Sequence, residues 1–235
     1  MKYMGSKDKY FIEMMKFILK NRKINQWYIE PFVGGCNSID KVDGQRIASD
    51  INKYLIALWQ GLQSGRLGIE SFGKELYSEA RDEYNKGTNI KFDDFELGWF
   101  GFMGSFNGRF YDGGFSGKTE KRDYIKEQVA NTKKQIPLIK DIVFKCCNYS
   151  DLEIIDNSIV YCDPPYRNTK QYSNKNFDYE KYYNWIRNIS RNNEVYVSEY
   201  EMPSDFECVW QKEVTNSLNT TLTKRPIEKL FRIKN

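Results

Sequence analysis

Trp27-Tyr28-Ile29-Glu30-Pro31-Phe32-Val33-Gly34-Gly35-Cys36, followed by Arg46-Ile47-Ala48-Ser49-Asp50, is the stretch that sets the architecture. Trp27 to Ile29 reads as a short strand ending at Glu30-Pro31, because a proline cannot donate to a sheet ladder. Phe32 to Cys36 reads as a tight turn, after which Ser38 starts a short helix. Arg46 to Asp50 reads as a second strand and Leu55 to Leu62 as a helix. Strand, glycine turn, helix, and a strand ending in an acid form the pattern of a doubly wound α/β domain.

The pattern extends in both directions. Lys9 to Lys20 places Phe11, Met14, Met15 and Ile18 at helical spacing. Ile159 to Cys162 is an apolar run that stops at a proline pair, as a buried strand would. Beyond it, Tyr179 to Ile189 reads as a helix, while Val195 to Val197 and Phe206 to Val214 read as strands. Lys229 to Ile233 would close a final hairpin. The expected fold is therefore α/β, a Rossmann-like sheet with helices on both faces.

The span between Asp50 and Asp163 is far longer than one crossover requires. Residues 67–135 are accordingly read as an inserted domain, mostly helical with a hairpin, and residues 1–66 and 136–235 as the main domain. Ile69 to Tyr84 and Asp94 to Met103 look helical. Residues 104–118 carry Asn-Gly and Asp-Gly turn signals between aromatics and read as a Gly-rich hairpin or loop. A basic helix through Lys121, Arg122, Lys126, Lys133 and Lys134 comes next.

Composition narrows the chemistry. The chain of 235 residues is 40% hydrophobic and 29% charged, as expected of a soluble globular protein. Aromatics reach 16%, with 17 Tyr, which suits either a base-handling surface or a Tyr-rich core. A net charge of +4 is compatible with nucleic acid. With no His at all, mechanisms that need imidazole are excluded. Cys36, Cys146, Cys147, Cys162 and Cys208 contain no Cys-x-x-Cys pair, so buried thiols in a reducing cytoplasm are expected and no metal site is. No signal peptide or membrane span is expected.

Asp163-Pro164-Pro165-Tyr166 presents a carboxylate, two backbone carbonyls unusable by a sheet, and an aromatic ring at a strand tip. An exocyclic amine is a weak nucleophile because its lone pair is delocalised into the ring. A carboxylate and a proline carbonyl accepting its two N–H bonds would draw the nitrogen toward tetrahedral geometry. The Tyr ring can stack on a base that has left its duplex. Read without that chemistry, the string is a strand stopped by a turn, with Asp capping the next segment.

Gly34-Gly35 lets a ligand approach the backbone, but the Gly-x-Gly-x-x-Gly dinucleotide fingerprint is absent. Asp50 stands about one βαβ step later, where an acid can take ribose hydroxyls; singly, it could instead cap a helix. Together the two favour a nucleoside cofactor. Tyr3-Met4-Gly5-Ser6-Lys7 sets an aromatic and a lysine ahead of the first helix, either as ligand contacts or as a frayed basic terminus.

The chain resembles the Dam-like family of DNA adenine-N6 methyltransferases (D12 class, α group), especially its short phage-type members. The resemblance rests on Tyr3-x-Gly-Ser-Lys7, Pro31-Phe32-x-Gly34-Gly35, Ser49-Asp50-Ile-Asn52, Phe106-Asn107-Gly108, and Asp163-Pro-Pro-Tyr166 with Thr169 and Tyr172 beyond it. It implies that Tyr3, Lys7, Asp50 and Asp163 contact S-adenosylmethionine, with Pro31, Phe32 and Gly34 lining its methionine end. Asp163, Pro164, Pro165 and Tyr166 would hold the flipped adenine. The resemblance further implies a target-recognition role for 67–135, with double-stranded DNA as partner, a monomer or a dimer on DNA, and a cytoplasmic location in a phage or restriction–modification setting. GATC is the family's first sequence to test. Two departures stand out: Cys36 replaces the last Gly of the usual Phe-x-Gly-x-Gly, and Tyr3 stands where many members have Trp.

Asn107, Arg109, Lys118 and Arg122 are the candidate DNA contacts, since Asn can read adenine, Arg can read guanine, and Lys grips phosphate. They could equally belong to a solvated surface hairpin. The alternatives in function are cytosine-N4 transfer, where Ser more often precedes Pro-Pro-Tyr, and protein-glutamine methylation, where Asn usually does. A catalytically silent DNA-binding protein on the same fold is the alternative from another class.

Overall fold

The computed structural model describes residues 1–167, 177–214 and 227–234. Among them seven strands form one sheet: β1 (Tyr28–Glu30), β2 (Arg46–Asp50), β3 (Ile142–Cys146), β4 (Ile159–Cys162), β5 (Glu194–Glu199), β6 (Phe206–Glu213) and β7 (Ile227–Ile233). Their order across the sheet is β3-β2-β1-β4-β5-β7-β6. The first five run parallel, and β7 lies antiparallel between β5 and β6.

Side chains alternate across the pleat, so the sheet has two apolar faces. Tyr28, Ala48, Ile159, Tyr161, Tyr196 and Leu230 belong to one core, and Ile29, Ile47, Val160, Cys162, Val195, Val197 and Phe231 to the other. Helix α1 (Phe11–Ile18) covers the first face with Phe11, Met14 and Ile18, at the spacing that gives a helix one apolar stripe. Helix α2 (Lys53–Gln63) lies on the same face. Helix α6 (Tyr179–Ile189) covers the second face with Tyr182, Tyr183 and Ile186. The fold is the expected doubly wound sheet with helices on both sides.

Residues 67–135 contain α3 (Lys74–Lys86), α4 (Asp94–Gly104) and α5 (Tyr124–Gln135). Helix α4 is capped by a reciprocal Asp93–Glu96 box and buried nearly all round. Gly98 lets it reach α2: a Cβ there would lie 2.3 Å from the Tyr54 carbonyl oxygen. Phe95, Trp99, Phe102 and Met103 consequently join the core of the first sheet face.

Several local expectations change. The helix read from Ile69 begins only at Lys74, and Lys121 and Arg122 precede α5 rather than lie in it. Of the two alternatives for residues 104–118 the loop holds rather than the hairpin: they form a 3-10 turn (Phe106–Gly108) and an isolated Ser105–Phe115 bridge. Strand β3 was not anticipated; it is a short edge strand with Val143 exposed between buried Ile142 and Phe144. Cys36 and Cys162 are buried as expected, but Cys146 and Cys208 are exposed, both lying on edge strands. Among the described residues no helix is long and apolar enough to cross a membrane.

Candidate active site at the ends of β1 and β4

Strand order reverses between β1 and β4, and a doubly wound sheet opens a crevice beyond the carboxyl ends of the strands at such a point. Pro31 to Cys36 leave β1 there, Asp163 to Tyr166 leave β4, and Asp50 ends the adjacent β2.

The glycine turn is held from several sides. Val33 N–H donates to the Ser49 carbonyl at 2.9 Å, and Gly34 N–H donates to Asp50 Oδ2 at 3.2 Å. Asp50 Oδ1 accepts the Asn52 N–H at 3.0 Å, while Asn52 itself caps α2. Asp50 is thus not the helix cap, and a carboxylate with two such bonds retains lone pairs for a ligand. Burial pushes its carboxyl above the usual range, against the pull of the N–H groups of Asn52 and Gly34.

Tyr3 lies on this turn. Gly34 has φ +47°, and a Cβ there would fall 2.7 Å from Tyr3 Cε1. Phe102 stacks with Tyr3 at 5.9 Å between ring centres. Cys36 takes φ +53°, the left-handed region that suits the Gly it replaces, and its side chain is buried in the core. The extra bulk therefore goes into the first sheet face. Phe32 instead packs toward the second face among Tyr149, Tyr182 and Phe177, at 5.4, 5.8 and 6.1 Å, and Pro31 is buried.

At the other wall, the Lys7 ammonium lies 3.4 Å from Asp163 Oδ1 and 3.3 Å from Glu228 Oε2. It also sits 4.1 Å from the centre of the Tyr166 ring, whose hydroxyl donates to Glu228 Oε2 at 2.8 Å. Side-chain exposure is 7% for Lys7, 9% for Glu228 and 24% for Asp163, so Asp163 is the member of this group that meets solvent. Burial pushes the Asp163 carboxyl up to about 6; Lys7 pulls it down and Glu228 pushes it up. The Pro165 carbonyl accepts from the Tyr179 hydroxyl at 3.1 Å.

Three acids that the sequence reading passed over belong to this region. Glu199 accepts the backbone N–H groups of Arg167 (3.0 Å) and Tyr200 (2.7 Å), tying the chain after Tyr166 to the end of β5; burial pushes it up to about 7. Glu30 accepts from the Tyr28 and Ser38 hydroxyls and is pushed by burial up to about 8. Glu228, the partner of Lys7 and Tyr166, is the third. Their only sequence signal is position at a strand terminus, which Glu30 and Glu199 have.

Of the candidate DNA contacts, Asn107 is exposed with φ +55°, and Lys118 is exposed near the Lys118–Asp123 bridge. Arg109 Nε donates to Met4 Sδ at 3.2 Å. Arg122 is gripped by both oxygens of Glu127. The Phe106–Gly108 turn touches the N-terminal segment: a Cβ on Gly108 would lie 2.2 Å from the Lys2 carbonyl oxygen. Gln128 also exchanges two 3.0 Å hydrogen bonds with the Lys2 backbone. Segments carrying Tyr3, Lys7 and Asn107 are therefore contiguous. Thr169 and Tyr172 lie outside the described residues.

Residues 3–207 match the family described as D12 class N6 adenine-specific DNA methyltransferase. Among solved structures, TrmN from Thermus thermophilus is similar over 94% of this chain and 48% of its own, at 9% identity and a TM-score of 0.37. SMU.472, complexed with SAH, is similar over 99% of this chain and 58% of its own, at 9% identity and a TM-score of 0.35. The chain thus spans about half the length of these two proteins.

Proposed function

The chain belongs to the D12 class N6 adenine-specific DNA methyltransferase family, and from that membership we propose that it transfers a methyl group from S-adenosylmethionine to N6 of an adenine flipped out of double-stranded DNA. The observation that carries this reading is the placement of Asp163, paired with Lys7, at the β1/β4 crevice.

The residues present fit the cofactor. Asp50 suits ribose hydroxyls, the Gly34–Gly35 turn leaves room where a Cβ would collide with Tyr3, and Lys7 and Asp163 offer both signs of charge to an amino-acid moiety. Tyr3, Pro31 and Phe32 would shape the rest of that pocket. When bound, S-adenosylmethionine supplies an electrophilic methyl group on a sulfonium.

Asp163 accepts one N6 hydrogen. A proline carbonyl of the same turn is proposed to accept the other; the Pro165 carbonyl also takes the Tyr179 hydroxyl and keeps a second lone pair. Two acceptors aim the nitrogen lone pair and favour the charge that grows on nitrogen during transfer. Lys7 sits over one face of the Tyr166 ring and Tyr200 packs perpendicular to it at 4.8 Å, so the ring is held in place as the proposed stacking partner of the base. In-line transfer then needs no covalent enzyme intermediate. Residues 67–135 are proposed to read the DNA, with Asn107 and Arg109 toward base edges and Lys118 and Arg122 toward phosphates.

Nucleoside mass spectrometry of DNA treated with the protein and S-adenosylmethionine tests this, with methylation-sensitive sequencing giving the site. N6-methyladenine is expected. N4-methylcytosine would overturn the choice of base, and DNA binding without methylation would make the chain a silent relative.

A further inference from the structure

We propose that Glu228, near the start of β7, is a positioning residue of this site: it shares the Lys7 ammonium with Asp163 and fixes the Tyr166 hydroxyl, so that the carboxylate and the ring are set against each other. The catalytic meaning of this linkage rests on the proposed methyl transfer.

One cation serves two acids here at nearly equal distances, 3.4 Å to Asp163 and 3.3 Å to Glu228. The Glu228 oxygen that meets Lys7 also accepts the Tyr166 hydroxyl. Lys7, Tyr166 and Glu228 thus close a ring, with the ammonium over the aromatic face and both polar ends on one carboxylate oxygen. If Lys7 had Asp163 as its sole counter-ion, the pair would be tighter and Asp163 a poorer acceptor for an amine hydrogen. Sharing weakens that hold while keeping the cation in place. The device comes from β7, a strand inserted antiparallel between β5 and β6, and β7 carries none of the residues singled out from the sequence for this site.

Other groups also act on Asp163. Lys7 and Tyr10 face it from the N-terminal segment, and Glu30 from β1. Tyr161 and Tyr166 face it from β4 and its exit, Glu199 and Tyr200 from the end of β5, and Tyr182 from α6. Among the described residues, Lys7 is the cation paired with Asp163, and Glu228 is the other acid on that cation.

The test is a titration by NMR of protein carrying 13C-labelled Asp and Glu carboxyls, with the Asp163 resonance identified by its loss in Asp163→Asn. In the unsubstituted protein the Asp163 carboxyl should titrate at about 6. In Glu228→Gln, whose amide oxygen can still accept from Tyr166, the Asp163 midpoint should fall by about one pH unit. The acid limb of kcat should move down with it. An unmoved Asp163 midpoint in folded Glu228→Gln would overturn the proposal and leave Glu228 a structural acceptor. Should Glu228→Gln not fold, Glu228→Asp, which draws the carboxylate back from Lys7 by one methylene, should lower the Asp163 midpoint in the same direction by less, and an unmoved midpoint there overturns the proposal equally. A lowered Asp163 midpoint in a variant of a chain that does not methylate DNA would remove the proposed function alone; an unmoved midpoint in an active enzyme would remove the Glu228 linkage alone.

Discussion

The Lys7 ammonium bridges the N-terminal segment to the end of β4, lying 3.4 Å from the Asp163 carboxylate. A buried lysine is held charged by such partners, and Asp163 and Glu228 together raise its pKa despite burial. Lys7→Met takes the cation from buried Glu228 and partly buried Asp163. The expected result is a loss of about 3–5 kcal/mol in stability, as for other broken buried pairs. Since Lys7 lowers the Asp163 pKa, its removal should also carry the acid limb of methylation above about 6. Denaturant melts and a pH series of single-turnover rates check both.

Asp163→Ala removes the proposed acceptor while Lys7 keeps Glu228 as counter-ion. Methylation should fall on the order of 1,000-fold, the upper end of the range for deleting one preorganised polar group. Circular dichroism should remain that of the parent. Parental activity in this variant would refute the mechanism.

Gly34→Ala places a methyl group 2.7 Å from Tyr3 Cε1 at a residue with φ +47°. Tyr3 must shift, and the backbone bears strain of about 1–3 kcal/mol. S-adenosylmethionine affinity, read by calorimetry, should weaken by on the order of 10-fold, with a lower Tm.

Glu30 should make stability depend on pH. Its carboxyl is raised from 4.5 to about 8, so the folded protein binds a proton that the unfolded chain has released over that interval. This contribution to stability is complete below about 4.5, declines as pH rises, and is lost above about 8. Glu30→Gln, which keeps an acceptor for Tyr28, should abolish that decline. Thermal melts of both proteins from pH 5 to 9 should diverge with rising pH and run parallel above about 8.

Lys118 and Arg122 differ in their surroundings, and DNA binding should reveal it. Glu127 holds the Arg122 guanidinium with both oxygens, whereas Lys118 is exposed. Lys118→Ala should reduce the slope of log affinity against log salt by about 1, the value for one lost phosphate contact. Arg122→Ala should change it less. Fluorescence anisotropy across a salt series measures both slopes.

Much of this architecture was legible locally. Helix α1 follows from Phe11, Met14 and Ile18 at helical spacing, and α6 was bounded correctly at Tyr179 and Ile189. β1 and β2, with the proline and glycine signals between them, gave the doubly wound pattern. Strand β3 escaped because a short edge strand with one exposed valine carries little periodicity. The roles of Asp50 and Asn52 also needed coordinates: both precede α2, and only geometry shows that Asn52 caps it while Asp50 turns to Gly34.

What the sequence determined on its own is what depends on neighbours along the chain: the periodicity of helices and strands, the proline stop after Cys162, and the chemical equipment of Asp163 to Tyr166. Tertiary structure decided what depends on distant residues meeting. It set Lys7 between Asp163 and Glu228, drew α4 into the sheet's own core, and buried Glu30 and Glu199 where their charge is costly. An acid in a linear sequence looks the same whether it ends in water or beside a single shared cation. Burial and partners, which exist only once the strands have paired, separate the two.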